Sequence, residues 1–124
     1  NLALLKGLWL SRNTLTGTIP TELGELSSLS FIRIGNNNLV GTIPESLGSL
    51  SKLFEIILSH NNINGTIPSS FDHLDALKKL RLDNNMISST VSEKICGFFV
   101  IIVLAADCAG VDPKVSCSCC TECY

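Results

Sequence analysis

The chain has 124 residues, 45% hydrophobic and 16% charged, which is the length of one domain and a composition that excludes intrinsic disorder. Its formal net charge is -2, and no run of Lys or Arg exceeds the pair Lys78 and Lys79. Without a basic footprint for phosphate backbones, nucleic acid is excluded as a partner.

From Leu2 onward the sequence repeats with a 24-residue offset. Leu2, Leu26, Leu50 and Leu74 fall in one column, Asn13, Asn37, Asn61 and Asn85 in another, and Ile19, Ile43, Ile67 and Val91 in a third. A fixed period of this size predicts a solenoid, in which each unit buries its apolar face against its neighbours. The chain enters its first unit with no signal peptide and no polar or cysteine-bearing cap before it. The leucines at that end are therefore expected to be covered by upstream residues or by another chain.

Within each unit two aliphatic residues alternate with outward positions: Leu8 and Leu10, Ile32 and Ile34, Ile56 and Leu58, Leu80 and Leu82. Period two predicts a short half-buried strand in each copy, and stacked copies make a parallel sheet. The asparagine follows where the chain turns away, and its amide can satisfy backbone groups left unpaired inside the coil. Gly17, Gly41 and Gly65 supply a backbone angle or close approach that a Cβ would hinder. Pro20, Pro44 and Pro68 end the extended piece, since proline cannot donate to a ladder. The return segments 21–26, 45–50 and 69–74 have room for about one helical turn, of 3₁₀ type.

The segment N-x-L-x-G-x-I-P at 13 to 20, 37 to 44 and 61 to 68 resembles the 24-residue plant-type class of extracellular leucine-rich repeats. The resemblance covers residues 1–95 in four units. It implies a leucine-rich-repeat solenoid with a parallel β-sheet on the concave face and 3₁₀ or loop segments on the convex face. Continuing the period puts a fifth strand near 103–107. In the fourth unit Ser89 and Ser92 replace the expected Gly and Pro, so the convex path there is expected to differ.

Residues 96–124 form a second region, a terminal strand and a cysteine-rich C-terminal cap. The six cysteines, Cys96, Cys108, Cys117, Cys119, Cys120 and Cys123, are even in number and clustered. That clustering favours disulfides and an oxidising compartment, while a four-ligand metal site would leave two thiols over and finds no His nearby. Fifteen pairings are possible. Cys96 takes the slot of Gly24 and Gly48 on the return side and Cys108 follows the last strand, too far apart to pair with each other, so each is expected to pair with a tail cysteine. The ending is similar to that of predicted secreted leucine-rich-repeat proteins of diatoms and related algae. This likeness implies a secreted or cell-surface protein, without implying an activity.

Function is sought in the columns that vary. On a leucine-rich-repeat strand the residues flanking the buried aliphatics face outward: Gly7, Phe31, Glu55, Lys79; Trp9, Arg33, Ile57, Arg81; Ser11, Gly35, Ser59, Asp83; Arg12, Asn36, His60, Asn84. Aromatics and Arg are enriched at interface hot spots, so Trp9, Arg12, Phe31, Arg33, Ile57, His60, Arg81 and Asp83 are the candidate partner-binding residues. No catalytic set converges: His60 and His73 occupy different repeat positions, and the carboxylates are expected in solvent-facing columns. No cofactor or metal site is read. Asn64-Gly65-Thr66 is an N-glycosylation sequon. The run from Phe98 to Ala106 is apolar throughout but too short to span a bilayer; the expectation is that the tail covers it, the alternative that a second chain does. These features point to a non-catalytic extracellular recognition module binding a protein, with a polysaccharide as second candidate. The alternative is a structural protein that assembles with copies of itself, end to end or through its apolar C-terminal patch.

Overall fold

The computed structural model describes residues 2–97, 103–106, 115–116 and 119–123. In chain order the strands are β1 (Gly7–Trp9), β2 (Thr16–Gly17), β3 (Phe31–Arg33), β4 (Asn38–Thr42), β5 (Glu55–Ile57), β6 (Asn62–Gly65), β7 (Lys79–Arg81), β8 (Met86–Ile87), β9 (Ser89–Thr90), β10 (Val103–Ala106), β11 (Val115–Ser116) and β12 (Glu122–Cys123). The period-two segments form a six-stranded sheet in the order β1-β3-β5-β7-β10-β12. All pairs are parallel, with Leu8 opposite Ile32, Ile32 opposite Ile56, Ile56 opposite Leu80 and Leu80 opposite Leu104. The fifth repeat strand lies where the period places it. A second parallel sheet, β2-β4-β6-β8, runs beside the first where each coil leaves the strand.

The prolines act as their fixed φ requires. Pro20, Pro44 and Pro68 sit in extended backbone immediately before the 3₁₀ turns Thr21–Glu25, Glu45–Ser49 and Ser69–His73. Between sheet and turns lies an apolar core in which Leu29, Ile32, Leu47, Leu53, Ile56, Leu58, Ile63, Phe71, Leu74 and Leu80 are fully buried. Leu5, Leu8, Leu23 and Leu26 of the first coil pack against it half-buried.

The asparagine column holds successive coils together. The Asn37 amide donates to Ile34 O and to Leu10 O of the preceding coil, both at 2.9 Å, and its Oδ1 accepts from Leu15 N at 3.1 Å. Asn61 repeats the pattern with Leu58 O, Ile34 O and Leu39 N, and Asn85 with Leu82 O, Leu58 O and Ile63 N. Gly17, Gly41 and Gly65 all lie in the left-handed region, at φ 82°, 77° and 79°. A Cβ at Gly41 would also come within 2.8 Å of the Thr18 methyl.

The fourth unit departs coherently. Ser92, in the proline slot, caps a helical turn, α1 (Glu93–Gly97), by accepting from Ile95 N at 3.2 Å. Its hydroxyl donates to Asp72, which occupies the slot of Gly24 and Gly48. Ser89 replaces the left-handed glycine, and there β9 pairs with β11 of the tail. The helical turn carries Cys96 to a disulfide with Cys119, Cα atoms 5.5 Å apart, while β12 pairs with β10. Cys96 thus pairs with a tail cysteine as expected, and Cys120 is also disulfide-bonded. Cys108, Cys117 and the apolar residues 98–102 lie outside the described residues.

Candidate binding surface

Three of the four columns expected to face outward do so, apart from the covered Glu55. Trp9, at the end of β1, is 65% exposed and stacks on Phe31 of β3 with ring centroids 4.6 Å apart. The stack exists because Gly7 has no side chain: a Cβ there would fall 1.8 Å from Phe31 Cε2, so the phenyl ring occupies the space a larger residue would take. Phe54, just before β5, meets Phe31 edge-on at 6.0 Å and extends the aromatic patch. Phe54 was not among the sequence candidates; an aromatic in a slot held by Lys6, Ser30 and Lys78 in the other coils was the available signal.

Arg33 sits over this patch, its guanidinium carbon 5.8 Å from the Trp9 ring and 5.6 Å from Phe31. Glu55 on the next strand holds it through a 2.6 Å ion pair, and Lys79 approaches the other carboxylate oxygen at 3.6 Å. The Glu55 side chain is only 6% exposed, against 41% for Arg33, so the carboxylate lies beneath the two cations it serves. Arg33 Nε and Glu55 Oε1 are buried without hydrogen-bond partners. Ile57 is half-buried between Arg33 and Arg81 in the same register.

The third column corrects the sequence reading. Gly35, Ser59 and Asp83 are buried, and Asp83 has no exposed surface at all, so it is not a solvent-facing contact residue. The carboxylates Glu55 and Asp83 were both expected in solvent-facing columns, and both are covered. The cause is the turn after the strand: Arg12, Asn36, His60 and Asn84 adopt φ of 56° to 59°, which rolls the preceding residue inward. Asp83 instead holds Arg81, accepting from its Nε at 3.2 Å and Nη2 at 3.3 Å, and accepts from the Asn84 amide at 3.2 Å. His60, 51% exposed, stands 3.9 Å from the same carboxylate. Arg12 is exposed at the matching turn of the first coil.

Asn64 is exposed on β6, in the second sheet and away from the aromatic patch. Among the described residues no cluster of three metal-ligating side chains forms, and no helix is long and apolar enough to cross a membrane.

Stacked parallel strands, 3₁₀ returns and a shared asparagine ladder are the geometry of one repeat family. Residues 32–87 match the family model described as leucine rich repeat, and residues 4–26 match a second model of the same description. The chain is a leucine-rich-repeat solenoid. No curated protein matches its sequence. Among solved structures it is similar to the plant peptide hormone receptor RGFR1 in complex with RGF2, at 35% identity and a TM-score of 0.75, covering 92% of this chain and 17% of that one. The Arabidopsis receptor kinase HAESA, in complex with the peptide hormone IDA and the co-receptor SERK1, matches at 28% identity and 0.78, covering 90% and 18%. The BIR3–SERK2 complex from Arabidopsis thaliana matches at 30% identity and 0.71, covering 96% and 57%. This leucine-rich-repeat chain therefore spans under a fifth of the two hormone receptors and just over half of the third, and its repeats are of the plant extracellular type.

Proposed function

We propose that the chain is a non-catalytic, extracellular recognition module that binds a protein partner through its six-stranded face. The observation that carries this reading is the exposed Trp9, stacked on Phe31 and flanked by an Arg33 that buried Glu55 holds in place. Aromatic and Arg anchors on a rigid frame lose little side-chain freedom on binding, which is how a small patch yields useful affinity. The similar receptor structures, RGFR1 with RGF2 and HAESA with the peptide hormone IDA and a co-receptor, lend support from the same architecture. Trp9, Arg12, Phe31, Arg33, Ile57, His60 and Arg81 form the contact set, with Phe54 and Lys79 added and Asp83 recast as the group that positions Arg81.

In this reading residues 1–95 recognise the partner, while residues 96–124, with the diatom-like cysteine ending, seal the coil. Secretion or cell-surface display would oxidise the cysteines and glycosylate Asn64, whose glycan would project from the second sheet and leave the aromatic face clear. The test is binding of the oxidised chain to an array of extracellular proteins. A recognition module is monomeric by light scattering and loses its array partner on Trp9→Ala and Arg12→Ala. Oligomers that form equally well in both variants would support the assembly alternative instead.

A further inference from the structure

Charge is unevenly distributed along the sequence, with the cations concentrated on the first four repeat strands. The first four strands of the six-stranded sheet, β1, β3, β5 and β7, with their flanking turns, residues 6–12, 30–36, 54–60 and 78–84, contain six Lys or Arg (Lys6, Arg12, Arg33, Lys78, Lys79, Arg81) and two carboxylates, Glu55 and Asp83, a net of four positive. The remaining residues contain three Lys or Arg and nine Asp or Glu, a net of six negative, which together give the overall -2. Both carboxylates of these four strands are buried beneath their cations, so the ionic groups that β1 to β7 present to solvent are cationic. An acidic molecule thus sees a positive face on a protein whose net charge is negative.

The face is also divided along its length. Trp9, Phe31 and Phe54 gather on β1, β3 and the approach to β5, with Arg33 of β3 over the first two, whereas Lys79 and Lys78 lie at the β7 end. Resting on the recognition reading above, the geometry points to a linear acidic peptide as the partner, with one aromatic or large aliphatic side chain seated on Trp9 and Phe31 and carboxylates reaching Arg33 and Lys79. Strands lie about 4.8 Å apart, so β1 to β7 spans roughly 14 Å. An extended chain advances about 3.4 Å per residue, so anchor and far carboxylate are separated by about four residues. A uniform polyanion such as a polyuronate fits less well, since it would set a charge against the aromatic pair.

Two carboxylates prepare the face. Glu55 fixes Arg33 and draws in Lys79, two cations on one buried anion, which leaves positive charge for a ligand to neutralise. Asp83 does the same for Arg81 with two hydrogen bonds. The cations are already extended before the partner arrives, which reduces the ordering cost of binding.

A phage-displayed library of random twelve-residue linear peptides, panned against the intact oxidised chain, tests this. Enriched peptides are expected to carry an aromatic or large aliphatic residue and Asp or Glu about four positions away. The synthetic winners should weaken about tenfold or more on Trp9→Ala, on Lys79→Glu and on Arg12→Glu, and about tenfold between low and high salt as charges are screened. Matching circular dichroism of the three variants shows that binding and not folding changed. Winners that depend on Trp9 but show no acidic bias overturn the acidic partner and leave concave-face recognition standing. Winners indifferent to all three substitutions overturn both readings. Polygalacturonate binding that is lost on Lys79→Glu, with no acidic peptide enriched, overturns the peptide in favour of a polysaccharide.

Discussion

His60 has a left-handed backbone, φ 57°, at a position where the fourth coil has Asn84 at φ 56°. Left-handed backbone costs a side chain with a Cβ about 1–2 kcal/mol, and Asn less because its short amide bonds locally. His60→Asn is therefore expected to raise stability by about 0.5 to 1 kcal/mol, read as a higher urea midpoint. Asn61, one residue on, behaves oppositely. Its three hydrogen bonds are buried, and although Ile34 O and Leu58 O each keep a second asparagine amide, Leu39 N loses its only side-chain acceptor. Asn61→Ala should cost about 3 kcal/mol by urea denaturation. The asparagine column was legible in the sequence because all four copies carry it. The left-handed column was not, because Arg12 and His60 hide a requirement that only Asn36 and Asn84 advertise. Missing that turn is why Asp83 was read as exposed: outward alternation holds only while the strand lasts.

At the scale of elements, neighbouring coils set each other's shape through small residues. Gly7 on β1 makes room for a ring on β3, so Gly7→Ala should unstack Trp9 while leaving the backbone intact. Because Trp9 is the sole tryptophan, its fluorescence and the near-ultraviolet dichroism report on the stack directly. A red shift with unchanged far-ultraviolet dichroism is expected, and an unmoved spectrum would refute the packing account. In the fourth unit, the exchange of Pro for Ser turns a 3₁₀ return into a capped helical turn. Ser92→Ala removes both that cap and the Asp72 contact, and should cost about 1 kcal/mol or somewhat more. The sequence marked this unit as irregular. What it could not show is that Ser92 meets Asp72 of the preceding coil and that Ser89 pairs with Val115 of the tail, since residues 20 or more apart meet only once the coil is wound.

Across the whole molecule, stability in a solenoid is close to a sum of coil and nearest-neighbour terms, so its ends open before its middle. The interior coils bury Leu53, Ile56, Leu58, Leu74 and Leu80 completely, while the last coil depends on α1, the short β9–β11 ladder and the Cys96–Cys119 bridge. Closing a loop of 23 residues' separation contributes about 3 kcal/mol on the chain-entropy account. In a globular core that loss would lower the stability of every amide together. Here it should be local: in the Cys96→Ser/Cys119→Ser double variant, hydrogen exchange of the β9 and α1 amides should accelerate by roughly a hundredfold, while β5 amides change by less than about threefold. Uniform acceleration would show one cooperative unit instead, and no acceleration would show that the bridge adds nothing to the strand pairing around it. Because the aromatic patch lies on β1 to β5, the same variant should retain its partner, which separates the sealing role of the tail from the recognition role of the face.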